Sequence, residues 1–413
     1  MAGEAETSPP VTGRFIGAYS LAQIGAFIGF VPLLNVLLPL RATEVAAGLE
    51  ATALSQAAMW GAIAAGATNF VIGGLSDRTR TPIGRRRPWI LAGLFATALS
   101  YVGVFFAETS LQLILAIIAF QIAFNVLFGP FVAVFADRVP DRQKGLVAAF
   151  LGLAYPTANL FAALAVAIYL TDPAERFIGV IAAMMVLVLP FALFVLREPP
   201  PKATPEPADG RLLVAFRHAP FSLTFASRLF VHTAITLNAL YLLYFLQKET
   251  DIALRLPDTR PEAVLGWLIV ASTVSALAAG FVAGLWSDRA GWRNRFVAAG
   301  ALMIAAGAAA LAFLPDWPGP LVGQILFGLG LGAFTTTESA LAAEVLPIRL
   351  RAGRDLGIMN IAITGPQIIA PLMCLALVGA LGASYGLLFL SSAACAVIGA
   401  GLVLAIRRDR QAT

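Results

Sequence analysis

Residues 73–89 read GGLSDRTRTPIGRRRPW, and residues 284–296 read GLWSDRAGWRNRF. Each stretch follows an apolar run of helix length and precedes another. Each sets Ser-Asp-Arg and a burst of cations into a very short loop. A charge-dense loop that recurs between hydrophobic runs predicts a membrane protein built from two similar halves.

Composition points the same way. The chain has 413 residues, 59% hydrophobic and 12% charged, with a mean hydropathy of +0.84. So few charges cannot cover the surface of a water-soluble protein. Helical runs of about 20 apolar residues cross a hydrocarbon core. The sequence holds twelve, at roughly 14–38, 52–75, 88–107, 111–136, 144–170, 175–196, 219–246, 262–285, 294–314, 318–343, 354–380 and 384–406. The opening MAGEAETSPP lacks a basic region and a cleavage site, so the first span is expected to be retained. Cys374 and Cys395 fall inside predicted spans and read as small packing residues rather than a disulfide or metal pair.

Cations orient the chain. With both termini on one side, that side carries 22 Lys and Arg, against 5 on the other (Arg41, Arg176, Lys248, Arg255 and Arg260). Arg228 stands apart, near the start of the seventh span. The excess places both termini in the cytoplasm, in a multi-pass protein of the cytoplasmic membrane. It also accounts for the formal charge of +5, which therefore implies no nucleic-acid partner.

The connection REPPPKATPEPADGRLLVAFRHAP, starting at residue 197, is rich in Pro and charge and reads as a linker. The expected division is a tail 1–13, a six-helix bundle 14–196, a linker 197–218, a second bundle 219–406 and a tail 407–413. The halves correspond in order: Asp77 with Asp288 at an offset of 211, Asp137 with Glu344 at 207, Gly145 with Gly357 at 212, and Pro156 with Pro366 at 210.

Here a resemblance becomes specific. The layout is similar to the major facilitator superfamily, whose loop between spans two and three carries G-x-L-x-D-R-x-G-R-R. Gly73, Leu75, Asp77, Arg78, Gly84, Arg85 and Arg86 fit that pattern, with extra residues before Gly84. The longer form resembles the loop of sucrose transporters and the wider glycoside–pentoside–hexuronide:cation symporters. NVLFGPFVAVFADRVPDRQKG (125–145) resembles the end of their fourth span. RDLGIMNIAITGPQIIAPL (354–372) resembles their eleventh, through Leu356, Gly357, Asn360, Ala362, Pro366 and Gln367. The resemblance implies an all-α membrane protein with twelve transmembrane helices in two pseudo-symmetric six-helix bundles, the major facilitator fold. It implies a monomeric secondary transporter that works by alternating access, needs no cofactor, and imports a neutral saccharide or glycoside with a cation. The family's sodium-coupled members place acids within span two, and LSQAAMWGAIAAGATNFVIGG (54–74) has none, so the proton is the expected coupling ion. The fourth-span arginine of plant sucrose carriers is also missing after Gly129 and Pro130, so sucrose itself is not implied.

The cation loops are expected to act as gates. Asp77 and Asp288 stand at helix ends, where a carboxylate meets exposed backbone N–H groups and the positive end of a helix. Arg78, Arg85, Arg86 and Arg289 can form charge-assisted bonds to acids. The resemblance makes Asp137 the partner in the first half, and the duplication makes Glu344 its counterpart, so that the contacts tie the halves together. The alternative is that the cations only set topology.

Polar side chains inside spans are costly in lipid and face a cavity or a partner helix. Gln324, Gly328, Leu331, Thr335 and Glu338 follow at spacings of 4, 3, 4 and 3 and share one helix face. Glu338 is either a proton-coupling carboxylate or one paired with an arginine near the cytoplasmic end. Gln23 and Phe27, Gln121 and Asn125, and Tyr155 and Asn159 stand at i, i+4. Asn360, Thr364 and Gln367 stand at i, i+4, i+7, and the seventh span carries His232, Asn238 and Tyr241. Neutral amides with aromatic rings suit an uncharged polyhydroxylated ligand. Some of these amides could instead bond helix to helix. His232 is either a titrating group for proton coupling or a structural histidine.

No phosphate-binding loop, metal-ligand spacing or Gly-x-Ser-x-Gly is present, so no enzyme is expected. The rival expectations are a carrier or exporter of another small organic molecule, and a non-transporting assembly factor or sensor. Asp77→Asn should insert and express normally yet abolish uptake. Wild-type uptake rates in cells with normal levels of that variant would overturn the gate.

Overall fold

The computed structural model describes residues 10–196, 216–290, 292–345 and 352–406, without the side chains of Asp288, Ala343 and residues 352–357. All regular secondary structure among the described residues is helical. Among the described residues twelve helices are long and apolar enough to cross a membrane: α1 Gly13–Val45, α2 Glu50–Arg78, α3 Arg87–Phe105, α4 Ser110–Arg138, α5 Asp141–Tyr169, α6 Pro173–Val195, α7 Ala219–Lys248, α8 Pro261–Ser287, α9 Arg293–Phe313, α10 Gly319–Ala342, α11 Ile358–Ala380 and α12 Tyr385–Leu404.

Caps set several starts. Thr12, Asp172 and Ser384 accept from the backbone N–H groups of Phe15, Glu175 and Leu387, each answering a donor that the first helical turn leaves free. Thr109 and Gln112 form a reciprocal capping box at α4. Helices also run past the apolar stretches seen in the sequence. The first apolar run is expected to end near Leu38, yet α1 continues to Val45. There Arg41 pairs with Glu44 on the same helix and donates to the Ala107 carbonyl.

Proline shapes the interiors. π-helical segments at Leu33–Leu37, Phe191–Val195 and Leu375–Ala380 follow Pro32, Pro190 and Pro371. Proline brings no N–H to the helix ladder and crowds the carbonyl four residues back. α5 breaks at Leu153, ahead of Pro156, and turns π-helical over Ala162–Tyr169.

The chain forms two compact units. One comprises residues 1–46 and 60–204, the other residues 47–59 and 205–413. The linker 197–218 and the tails 1–13 and 407–413 lie largely outside the described residues. In the first unit the fully buried Tyr19 of α1 donates to the Phe131 carbonyl of α4 at 3.0 Å. Its ring packs on Phe131 at 5.1 Å and on Phe191 of α6 at 5.2 Å.

The second unit contains the first turns of α2, residues 47–59. Ser55 Oγ lies 2.7 Å from the Tyr241 hydroxyl, and Glu50 pairs with Lys248. Elsewhere this unit packs backbone to backbone. A Cβ on Gly332 of α10 would lie 1.9 Å from the Ala276 carbonyl oxygen of α8. One on Gly307 of α9 would lie 2.5 Å from the Phe327 nitrogen. Small residues at such contacts are how helices associate in lipid, where burial of apolar surface gives no drive. Cys374 and Cys395 are buried free thiols.

Gly332→Ala should therefore destabilise the second unit by about 1–3 kcal/mol through overpacking. Gly401→Ala, with no neighbour within 4 Å, should be neutral. Thermal unfolding in detergent compares the two, and equal melting points would contradict the packing.

Candidate functional site

The cation loops hold helix ends together inside each unit. In the first, Gly84 turns the loop at a φ of +116°, a conformation open to glycine. Arg86 is buried beyond that turn. Its Nη2 lies 2.6 Å from Asp77 Oδ1, its Nε 3.1 Å from Asp137 Oδ2, and its Nη1 donates to Ser76 Oγ at 2.6 Å. Arg85 Nη2 adds a contact of 2.7 Å to Asp137 Oδ2. One guanidinium thus joins the end of α2, the start of α3 and the end of α4.

The second unit repeats the pairing: Arg293, at the start of α9, bonds Glu344 at the end of α10's helix. Arg86 and Asp137 are 51 residues apart, as are Arg293 and Glu344. The Asp288 side chain lies outside the described residues, and Arg78 and Arg289 are exposed. The sequence expectation had these contacts tying the two halves together. The described pairs instead close within one unit, because each acid stands at the end of the helix beside its own loop.

Inside the second unit the charged groups meet. Arg228 of α7 and Glu338 of α10 are 7% and 2% exposed. They pair through Nε–Oε1 at 2.6 Å and Nη2–Oε2 at 2.7 Å. A charge in a low-dielectric interior is tolerated only with such a partner. Glu338 is therefore paired with an arginine, one of the two arrangements expected of it. His232 stands one turn beyond Arg228, half-buried, its ring edge-on to Phe334 at 6.0 Å.

The remaining polar groups of this unit lie on α7, α10, α11 and the first turns of α2. Gln324 Nε2 donates to Asn238 Oδ1 at 2.7 Å, and Asn238 Nδ2 donates back at 3.4 Å. Tyr241 is fully buried with its hydroxyl on Ser55. Thr335 Oγ1 donates to the Leu331 carbonyl one turn back. Asn360 is exposed and Gln367 half-buried on α11, where Thr364 Oγ1 donates to the Asn360 carbonyl.

The first unit holds neutral groups. Asn125 Nδ2 donates to the Gln121 carbonyl at 2.7 Å, and Asn69 Nδ2 of α2 donates to Asn125 Oδ1 at 2.7 Å. Phe27 meets Phe128 and Tyr155 edge to face, at 5.4 and 5.9 Å. Asn35 Nδ2 reaches Asn159 Oδ1 at 3.4 Å. Gln23 is buried, and its Oε1 has no hydrogen-bond partner among the described residues.

The structure thus brings Asn238 to Gln324, and Phe27 to Tyr155. It leaves Asn360 and Gln367 outside these clusters. Sequence reasoning missed Asn35, Asn69 and Ser55, and counted Arg228 only as a cation. A polar residue within an apolar span would have flagged each of them.

Residues 26–349 match the family model described as MFS/sugar transport protein. No curated protein matches the chain. Among the solved structures that resemble it in fold are the following three. A mutant of the nucleoside transporter NupG shares 13% identity at a TM-score of 0.73, over 95% of this chain and 99% of that one. The POT family transporter PepTSo shares 11% at 0.74, over 96% and 98%. A bacterial homologue of the human lysosomal transporter Spinster, inward-facing and unoccupied, shares 15% at 0.67, over 96% and 95%.

Removing one partner of the buried pair strands the other charge. Arg228→Met or Glu338→Leu alone should each cost about 3–5 kcal/mol, and the double variant much less than their sum. Unfolding midpoints of the three variants measure the coupling. Additive losses would show that the two charges act independently.

Proposed function

This chain belongs to the MFS/sugar transport protein family, and from that premise we propose that it imports a neutral saccharide or glycoside in symport with a proton. It is a secondary transporter of the major facilitator type. The observation that carries the substrate class is the sorting of charge. Charged side chains of the spans gather at helix ends, save Arg228 and Glu338, which neutralise one another. Apart from that pair and His232, the polar groups described within the spans away from the helix ends are amides and hydroxyls, several beside aromatic rings. Such groups bond hydroxyls in both directions and offer no unbalanced charge to an ionic ligand.

Coupling follows from the same pair. A proton on Glu338 would leave Arg228 without its counter-charge in a medium that penalises this. Protonation therefore goes with a shift of α7 against α10. His232, one turn from Arg228, is placed to pass or hold that proton. In this account Arg86, gripping Asp77 and Asp137, keeps the ends of α2, α3 and α4 moving as one body, and Arg293 with Glu344 does so for α9 and α10. The carrier works as a monomer in the cytoplasmic membrane with both termini inside, as the cation bias indicates.

Purified protein in liposomes, loaded to be alkaline inside, should accumulate a labelled glycoside, and a protonophore should collapse the accumulation. Glu338→Gln should lose accumulation while keeping glycoside exchange across the membrane. No uptake of any glycoside would end the sugar assignment, and uptake of a nucleoside or peptide instead would replace it. Accumulation indifferent to the pH gradient would remove the proton.

A further inference from the structure

We propose that the turn between α8 and α9 carries a binding site for the headgroup of an anionic phospholipid, built from Trp286 and Arg289 on the helix of α8, Trp292 in the turn and Arg295 on α9. This goes beyond the transport function and does not depend on which ligand is carried. Three observations converge on the site.

The first is a stripe. Val282, Leu285, Trp286 and Arg289 follow at i, i+3, i+4 and i+7 and so share one helix face. All four are exposed, Trp286 by 60%, and Phe281 beside them is exposed as well. Toward the end of the helix, which runs on to Ala290, the stripe passes from aliphatic side chains to an indole to a guanidinium. That is the order of one membrane leaflet: acyl chains, then the interface where tryptophan concentrates, then phosphates.

The second is the pair across the turn. Trp292 stands just ahead of α9 and is 55% exposed. The Arg295 guanidinium lies 4.5 Å from its ring centroid. Stacking of this kind holds a guanidinium against the ring and leaves its N–H edge for two phosphate oxygens. Glu344, the acid beside this turn, is taken by Arg293. Neither Arg289 nor Arg295 has an acid partner among the described residues.

The third is the contrast with the first loop. At the offset of 211 that relates Asp77 to Asp288, Trp286 falls on Leu75, Arg289 on Arg78, Trp292 on Thr81 and Arg295 on Gly84. The first loop keeps the apolar approach and one arginine, but no indole stands at these positions. Its own tryptophan, Trp89, is half-buried and donates Nε1 to Thr79 Oγ1 at 2.8 Å. Arg85 and Arg86 are occupied by Asp137. The clamp therefore recurs in both loops, whereas exposed indoles beside guanidinium groups mark the second. A clamp has no use for them. A lipid does: its phosphate meets the guanidinium groups, its glycerol region meets the indoles, and its chains lie along Phe281, Val282 and Leu285. A phosphatidylglycerol-type headgroup brings one net negative charge. A choline headgroup brings an ammonium that Arg289 and Arg295 would repel.

The test uses the full chain in detergent. Phosphatidylglycerol or phosphatidylcholine with the same acyl chains is added, and lipid adducts are read by native mass spectrometry. The first phosphatidylglycerol adduct should form at about a tenfold lower lipid concentration, as two arginines near one phosphate imply. Arg289→Gln combined with Arg295→Gln should abolish that preference. Trp292→Ala should weaken it about threefold, and Trp292→Phe should recover part of the loss. Arg142→Gln removes the same charge from the exposed start of α5 and should leave the preference unchanged. Excess glycerol phosphate, which has no chains, should not displace the lipid. Melting in detergent confirms that each variant is folded, and should the double variant fail to fold, Trp292→Ala decides. Equal adducts of the two lipids, or an equal loss in Arg142→Gln, would overturn the site. So would displacement by glycerol phosphate, or protein dimers in place of lipid adducts.

Discussion

Hydrocarbon accepts no hydrogen bonds, so each polar group along a span has to be answered from within the protein. The helical backbone answers itself, and many hydroxyls join it. Ser55, Thr68, Thr97, Thr233, Thr236, Thr335 and Thr337 each donate to a carbonyl one turn back. Amides answer one another, as Asn238 and Gln324 do, the buried Glu338 answers Arg228, and the buried Glu50 answers Lys248. What is left over is informative for that reason. Gln23 Oε1 and Ser20 Oγ, three residues apart on α1, have no hydrogen-bond partner among the described residues.

The two units meet the same constraint with different materials. In the first, aromatic rings wedge α1, α4 and α6 together around Tyr19. In the second, glycines let α8, α9 and α10 approach until backbone touches backbone. Yet the loops agree: an arginine at the start of the third or ninth span grips an acid 51 residues later in both. The interior packing differs between the units while the arginine-to-acid clamp between loop and helix end recurs.

The spans and the doubled loop were legible in the sequence because both are local signals. Twenty apolar residues in a row need no partner to be recognised, and Ser-Asp-Arg repeats as a string. Helix ends were less legible, since the apolar run read from the sequence ends near Leu38 while the helix continues to Val45, where Arg41 makes an ion pair and a carbonyl contact. The tertiary partners of the polar groups were illegible for a different reason. Arg228 and Glu338 stand 110 residues apart, and helical spacing says which face a side chain takes, not which helix it meets. The stripe from Gln324 to Glu338 was a true face of α10, but its two ends found separate partners on α7. Asn35 escaped notice because it has no polar companion one turn away, and its companion lies on α5.

A division of labour follows from where charge is kept. The second unit holds the buried ion pair and the histidine beside it, which can change state with a proton. The amides and rings inside the first unit cannot, and the acids its loop arginines grip stand at helix ends. A carrier that recognised its ligand and its proton with the same charged group would have that group's hydrogen bonds to the ligand altered at each protonation. If the proposed carrier recognises its ligand through neutral groups, apart from the titratable pair on α7 and α10, ligand selectivity would stay constant as pH changes while the driving force acts elsewhere. Under the proposed function, pH should therefore alter how much glycoside accumulates and leave the ranking of competing sugars unchanged. A ranking that reorders between neutral and mildly acidic conditions would place a titrating group among the sugar contacts and undo the separation.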